Sequence, residues 1–207
     1  MTFAVVPAAG HGKRMGRAKL GLPLGNSTLL ERTVAALRDG GVERVLVVVG
    51  PRATELISSA ESAGGTIFLL PAPTADMRET VQAGLRYLEE RYHPHPENAW
   101  FLTPGDCPGF APSTVRQLLE FAAPDSVAIK IPTYRGRRGH PALFSWHHAA
   151  EILTIPPGLG IDSFVRSRVV REVPVEDPGV LTDLDTPADY EQFQKFRTRS
   201  FDNGCPG

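Results

Sequence analysis

The sequence is sparing with cysteine, with long apolar runs and with net charge, and each shortage removes a class of protein. Two cysteines in 207 residues, Cys107 and Cys205, cannot build a disulfide framework or a zinc site. No stretch approaches the roughly 18 consecutive apolar residues that cross a bilayer. The N-terminus lacks a charged segment followed by an apolar run and a cleavage site. The expectation is a cytoplasmic protein with no membrane partner. The 22 Lys+Arg and 23 Asp+Glu leave a formal net charge of −1. The basic residues cluster nowhere beyond Arg135, Arg137 and Arg138, which gives no footing for nucleic acid. Internal repeats and low-complexity blocks are absent as well.

What is present is an ordinary globular composition, 42% hydrophobic and 22% charged, in a length that suits one domain. Short apolar, β-branched runs alternate with segments of helical period. That alternation predicts an α/β fold: a single doubly wound, mostly parallel sheet, Rossmann-like, with helices on both faces. Strands are expected at 3–7, 44–50, 66–70, 100–103, 126–131 and 170–175. Helices are expected at 27–38, 53–63, 77–91, 112–122, 146–153, 160–167 and 188–196. Ser27 or Thr28 caps the first helix and Gly40-Gly41 ends it. The domain spans 1–197, and 198–207 reads as a disordered tail. His93 and His95 sit in a proline-flanked surface turn with no third ligand nearby.

The most informative segment is Phe3 to Lys19, a buried strand running into Ala8-Ala9-Gly10-His11-Gly12-Lys13-Arg14. Successive N–H groups in such a glycine-containing turn form a concave anion site. Arg14 and Lys19 stand just beyond, within reach of phosphates held there. Open α/β sheets bind nucleotides at this place, the carboxyl end of the first strand. Two familiar phosphate loops do not fit. The P-loop spacing would put its second glycine at Met15. In the dinucleotide fingerprint Gly10, His11 and Gly12 are followed by Gly16, one residue late. The second strand ends in Gly50-Pro51-Arg52 with no carboxylate for a ribose, which disfavours a nicotinamide domain.

Two carboxylate segments join this loop. Asp106, in Pro104-Gly105-Asp106-Cys107-Pro108, lies at the end of the fourth strand, on the same sheet edge if the strands are parallel. A carboxylate there suits Mg²⁺, which takes one or two carboxylates together with substrate phosphates; the plainer role is a turn aspartate capping its own backbone. In Thr182-Asp183-Leu184-Asp185-Thr186-Pro187, alternation puts Asp183 and Asp185 on one side of an extended segment. Both can therefore face one site, and Asp185 or Thr186 caps the last helix with Pro187 at its first position. Cys107 has no histidine placed to make it a nucleophile.

Ala8-Ala9-Gly10, Arg14-Met15-Gly16 and Lys19 resemble the opening signature of the MobA-like nucleotidyltransferases. The Ala-Ala-Gly version followed by Leu22-Pro23-Leu24-Gly25 looks most like the branch that cytidylylates the molybdenum cofactor. The resemblance extends over about residues 3 to 196. It implies a Mg²⁺-dependent transfer of a nucleoside monophosphate, from CTP, to a phosphorylated acceptor, molybdopterin, with a molybdoenzyme as a partner for the product. Under it Ala8, Ala9, Gly10 and Gly12 bind nucleotide and Arg14, Lys19 and Asp106 act in catalysis. Asp106 (Gly-Asp-x-Pro) and Asp183 (Asp-x-Asp-Thr-Pro-x-Asp) hold the metal. His140, in Gly-His-Pro, binds the acceptor, and Thr80, in Met-x-x-Thr, approaches the nucleotide. The chain departs from the family at Leu70, at Asp76 and across Gly158 to Phe164. These departures fall in the acceptor half. Other readings to be tested are a sugar-phosphate nucleotidyltransferase, a nicotinamide oxidoreductase and a non-catalytic nucleotide-binding protein.

Overall fold

The computed structural model describes residues 1–10, 19–122, 128–184, 186, 188–191 and 193. The expected tail and Cys205 lie outside them. Among the described residues the chain runs β1 (Thr2–Ala8), β2 (Pro23–Leu24), β3 (Ser27–Thr28), α1 (Leu29–Asp39), β4 (Arg44–Val49), α2 (Leu56–Ser62), β5 (Thr66–Leu69) and α3 (Met77–Tyr92). It continues as β6 (Ala99–Leu102), α4 (Pro112–Glu120), β7 (Ile129–Tyr134), β8 (Arg137–Arg138), β9 (Ala142–Ser145), α5 (His147–Leu153), α6 (Ile161–Arg166) and β10 (Val170–Pro174).

The main sheet has eight strands in the order β10-β7-β9-β6-β1-β4-β5, with β8 paired to β7. Strands β6, β1, β4 and β5 are parallel neighbours, and so are β7 and β10. Strand β9 runs antiparallel to both β6 and β7. This is the mostly parallel α/β sheet the alternation predicts. Helices cover both faces because the central strands are apolar on both sides: Phe3, Ala4, Val5 and Val6 of β1 are all fully buried. On one face Ala4 and Val6 pack with Leu30, Val34 and Leu37 of α1 and Val115 and Leu118 of α4. On the other, Phe3 and Val5 pack with Val81, Leu85 and Leu88 of α3 and with Ile152 of α5.

Local signals set several boundaries. Helix α1 starts in a capping box, in which the Thr28 side chain accepts from the Glu31 N–H and the Glu31 carboxylate accepts from the Thr28 N–H. Asp76, one of the family departures, caps α3 by accepting from Glu79 N–H at 2.8 Å. Three differences from the sequence reading stand out. Helix α2 begins at Leu56 rather than Ala53, since the chain is still turning after Gly50-Pro51. The short β2–β3 hairpin was not foreseen, nor was β9. A four-residue strand is too short for its period to register, and β9 owes its place to pairing on both sides.

Candidate active site

Because β1 and β6 run parallel with Val5 opposite Leu102, the loops that follow them leave the sheet at the same edge. Ala8 ends β1, and Ala9 turns away so close to Gly50 that a Cβ on that glycine would stand 3.2 Å from the Ala9 backbone. Gly10 follows it, and Gly12 and Arg14 lie outside the described residues. Lys19 opens a single 3₁₀ turn, Lys19–Gly21. Its Nζ donates to Asp106 Oδ2 at 2.8 Å, with both side chains largely buried (12% and 21% exposed). The Asp106 loop is held from below by α1, where the buried Thr33 hydroxyl donates to the Gly105 carbonyl at 3.1 Å.

The third component is the strap formed by residues 177–184. Its root is Asp177, whose carboxylate accepts from Ala111 N–H and the Thr114 hydroxyl, both at 2.7 Å, and from Gly179 N–H at 2.9 Å. Two glycines let the strap lie flat. A Cβ on Gly179 would fall 1.9 Å from the Gly109 carbonyl oxygen, and one on Gly139 would fall 2.2 Å from that of Val180. His140 N–H donates to Val180 O at 2.8 Å, and Leu184 N–H to Asp106 O at 3.4 Å. Leu184 is buried with Leu24 and Leu29. Pinned on both sides in this way, Asp183 faces Asp106. The carboxylate oxygens of Asp106 and Asp183 and the Cys107 sulfur all lie within 4.8 Å of one another.

That donor set suits a hard divalent cation. Burial pushes the Cys107 thiol well above its ordinary pKa, and the Asp106 and Asp183 carboxylates push it further. The sulfur is therefore a protonated neighbour, and two oxygens remain to ligate. Cys107 is for the same reason no thiolate nucleophile. Asp185 lies outside the described residues. Thr186 is seen as the cap of the last helix, accepting from Asp189 N–H at 3.2 Å while Asp189 accepts from Thr186 N–H at 2.8 Å.

Beside this group opens a cleft of about 690 Å³ lined by residues of six chain segments, including Arg78, Leu102, His140, Phe144, Asp162 and Asp183. Its mouth carries two exposed apolar side chains, Met77 and Leu159. The His140 ring nitrogen Nδ1 is enclosed and has no hydrogen-bond partner. Burial lowers the pKa of this imidazole against the opposing pull of Asp106 and Asp162, so the ring is neutral at pH 7. Thr80 is buried, with its hydroxyl shared between Thr74 Oγ1 at 2.6 Å and Asp76 O at 3.2 Å. It lies among the first residues of α3 and is not part of the cleft wall. His93 is exposed and the His95 side chain is 70% exposed, as a surface turn requires.

Sequence reasoning thus singled out Lys19, Asp106, Asp183 and His140, and the fold brings them to one edge. It missed Asp177 and Thr33, which position the strap and the Asp106 loop. The turn tripeptide Asp177-Pro178-Gly179 was the available signal for the first. A threonine inside a helix gives none for the second.

Comparisons with known proteins show the family to which the chain belongs. The profile of the MobA-like NTP transferase domain matches residues 4–173. The molybdenum cofactor cytidylyltransferase of Escherichia coli K12 is 25% identical over 188 residues, covering 90% of this chain and 92% of that protein. A bifunctional IPC transferase and DIPP synthase from Rubrobacter xylanophilus is 38% identical over 95 residues, 43% of this chain; that stretch is 22% of the Rubrobacter protein. Among solved structures, the Rv0371c homologue from Mycobacterium sp. strain JC1 superposes with a TM-score of 0.79 at 29% identity, covering 96% of this chain and 98% of that one.

Proposed function

Since the chain belongs to the MobA-like NTP transferase domain family and is a nucleotidyltransferase enzyme, we propose that it transfers CMP from CTP to the phosphate of molybdopterin, with Mg²⁺. An oxygen of the acceptor phosphate forms a bond to the α-phosphorus of CTP. The bond from that phosphorus to the bridging oxygen breaks, and pyrophosphate leaves with the electron pair. An acceptor phosphate is already anionic at neutral pH, so the chemistry needs no general base. The protein's work is positioning and charge neutralisation.

Each residue has a definite part. The backbone of Ala8, Ala9, Gly10 and Gly12 binds the nucleotide, and Thr80 approaches it. Arg14 and Lys19 stabilise the transferring and leaving groups. Asp106 and Asp183 hold Mg²⁺, which supplies charge neutralisation on the phosphates when bound. His140, neutral and with Nδ1 unpaired, offers a hydrogen bond to the acceptor. The observation that carries this reading is the convergence of two carboxylates and Lys19 at the edge where the first loop leaves the sheet.

The test is pyrophosphate release from CTP, GTP, ATP and UTP with Mg²⁺, with and without molybdopterin. Release with CTP that depends on molybdopterin is expected. Release that needs a sugar phosphate or another phosphorylated acceptor would keep the mechanism and replace the acceptor. Tight nucleotide binding with no release would point to a non-catalytic binding protein, and NADH binding to an oxidoreductase.

A further inference from the structure

Among the described residues, three buried side-chain polar atoms have no hydrogen-bond partner: Trp100 Nε1, His140 Nδ1 and Arg78 Nε. Two of these three belong to residues that line the same cleft. Unpaired buried polar atoms are rare enough in folded proteins that each calls for a reason, and two in one cavity wall point to a ligand.

Arg78 is the more informative of the two. It is 8% exposed, on the first turn of the sixteen-residue helix α3. One end of its guanidinium is fully used. Nη1 donates to Gln82 Oε1 at 2.9 Å and to the Ile155 carbonyl at 3.2 Å. Gln82 in turn donates from Nε2 to the carbonyls of Ile152 and Ile155, at 2.9 and 3.2 Å. This anchors the guanidinium between α3 and the end of α5. The other edge is almost empty. Nη2 makes one long contact, 3.3 Å, to Asp76 Oδ2, and Nε makes none. In an arginine Nε–H and Nη2 point the same way, and this pair is one of the forks that grips a carboxylate or phosphate through two parallel hydrogen bonds. A clamp role accounts for Nη1 but leaves the fork edge unexplained. Asp76 does not fill it, because its other oxygen is committed to capping Glu79 N–H.

We propose that the Nε–Nη2 edge of Arg78 receives an oxyanion of the acceptor, which makes Arg78 a specificity-determining residue for anionic acceptors. The inference rests on the reading of this cleft as the acceptor site. The anion belongs to the acceptor because Arg78 shares its cleft with His140 and Asp183. Met77 and Leu159, exposed on the same cleft, then offer contact to the flat ring face of the same compound.

The test uses the intact protein and inorganic phosphate, the simplest oxyanion common to phosphorylated acceptors. In ¹⁵N spectra the Arg78 Nε–H resonance, assigned through its proximity to Gln82, is followed during titration with phosphate in the presence of Mg²⁺ and CTP. A saturable downfield shift on adding phosphate, absent with CTP and Mg²⁺ alone, is expected. In Arg78→Lys, which keeps the charge and loses the fork, phosphate affinity read from the cleft amides of Gly139 and Ile161 should fall about tenfold. CTP affinity should stay within about twofold. A resonance unmoved by phosphate would make Arg78 a structural clamp only. A shift produced by CTP alone would assign the fork to the nucleotide. Either result overturns the proposal. Neither depends on molybdopterin, so a failed cytidylyl transfer to molybdopterin and a failed anion fork are separate outcomes.

Discussion

At the scale of single residues, the Lys19–Asp106 ion pair is the centre of the site. Asp106 has a lysine at 2.8 Å and, under the proposed function, a cation shared with Asp183. Asp106→Ala should abolish pyrophosphate release while circular dichroism reports an intact fold; a variant that keeps most of its rate would remove Asp106 from the mechanism. Lys19→Ala should cost roughly 2–4 kcal/mol of transition-state stabilisation, by analogy with loss of an oxyanion-hole donor, read as a fall in kcat. A loss smaller than about tenfold would argue that Lys19 only neutralises Asp106 in the free enzyme. His140 makes a prediction about stability. Its pKa is lowered by burial, so below the unfolded value near 6.5 the unfolded chain takes up a proton that the folded chain refuses. The His140 contribution is therefore complete above that value and is lost as pH falls toward the folded pKa. The melting temperature of the wild type should drop more than that of His140→Asn between about pH 7.5 and pH 5.5. A difference between the two that does not change with pH would mean the ring stays solvated.

At the scale of elements, the strap and the first helix start show how similar energetic losses have different consequences. A methyl group on Gly179 would collide with the Gly109 carbonyl at 1.9 Å. Gly179→Ala must therefore lift the strap from its bed, at a cost of about 1–3 kcal/mol for an overpacked contact, and carry Asp183 with it. The urea midpoint and the affinity for Mn²⁺, measured by paramagnetic titration, should fall together. Thr28→Ala removes a capping box and should cost about 1 kcal/mol with Mn²⁺ affinity unchanged. If Gly179→Ala destabilises the fold but still binds the cation normally, the strap does not position Asp183. Elements with a strong local signature were legible in the sequence. The continuous apolar runs gave β1 and β4, and the helical period with a Thr28 cap gave α1. Strand β9 was not, because Ala-Leu-Phe-Ser becomes a strand only where β6 and β7 offer it two partners. The strap was hidden for a similar reason. The Asp177-Pro178-Gly179 turn marks where it begins, but its path follows from Gly109 meeting Gly179 and Gly139 meeting Val180 across the fold, which its own sequence does not announce.

At the scale of the whole molecule, the parallel order of β6, β1, β4 and β5 gathers the loop ends at one edge. This explains why one half of the site could be read before the fold was seen. The phosphate loop and Asp106 each occupy a strand end, where local sequence and position in the sheet say nearly the same thing. The cleft proposed for the acceptor combines the start of α3, the end of β6, β7, the turn before β9, the start of α6 and the strap, and no local pattern spans them. Arg78 and the family departures at Asp76 and 158–164 lie in that half. The same architecture makes ligand binding and global stability inseparable. Under the proposed function nucleotide and metal bind loops that come together only in the folded state, so they should stabilise it by mass action. CTP with Mg²⁺ at about a hundred times the dissociation constant should add about 2.7 kcal/mol. For a chain of about 200 residues each 1 kcal/mol moves the melting temperature by about 2–4 °C, so a rise of about 5–10 °C is expected by scanning calorimetry. Removing Mg²⁺ with EDTA should reverse most of that rise in the wild type and change little in Asp106→Ala, where no intact carboxylate pair remains to hold the ion. A full rise in the presence of EDTA would mean that the nucleotide binds without the metal, and that the carboxylate pair serves some purpose other than holding a cation against the phosphates.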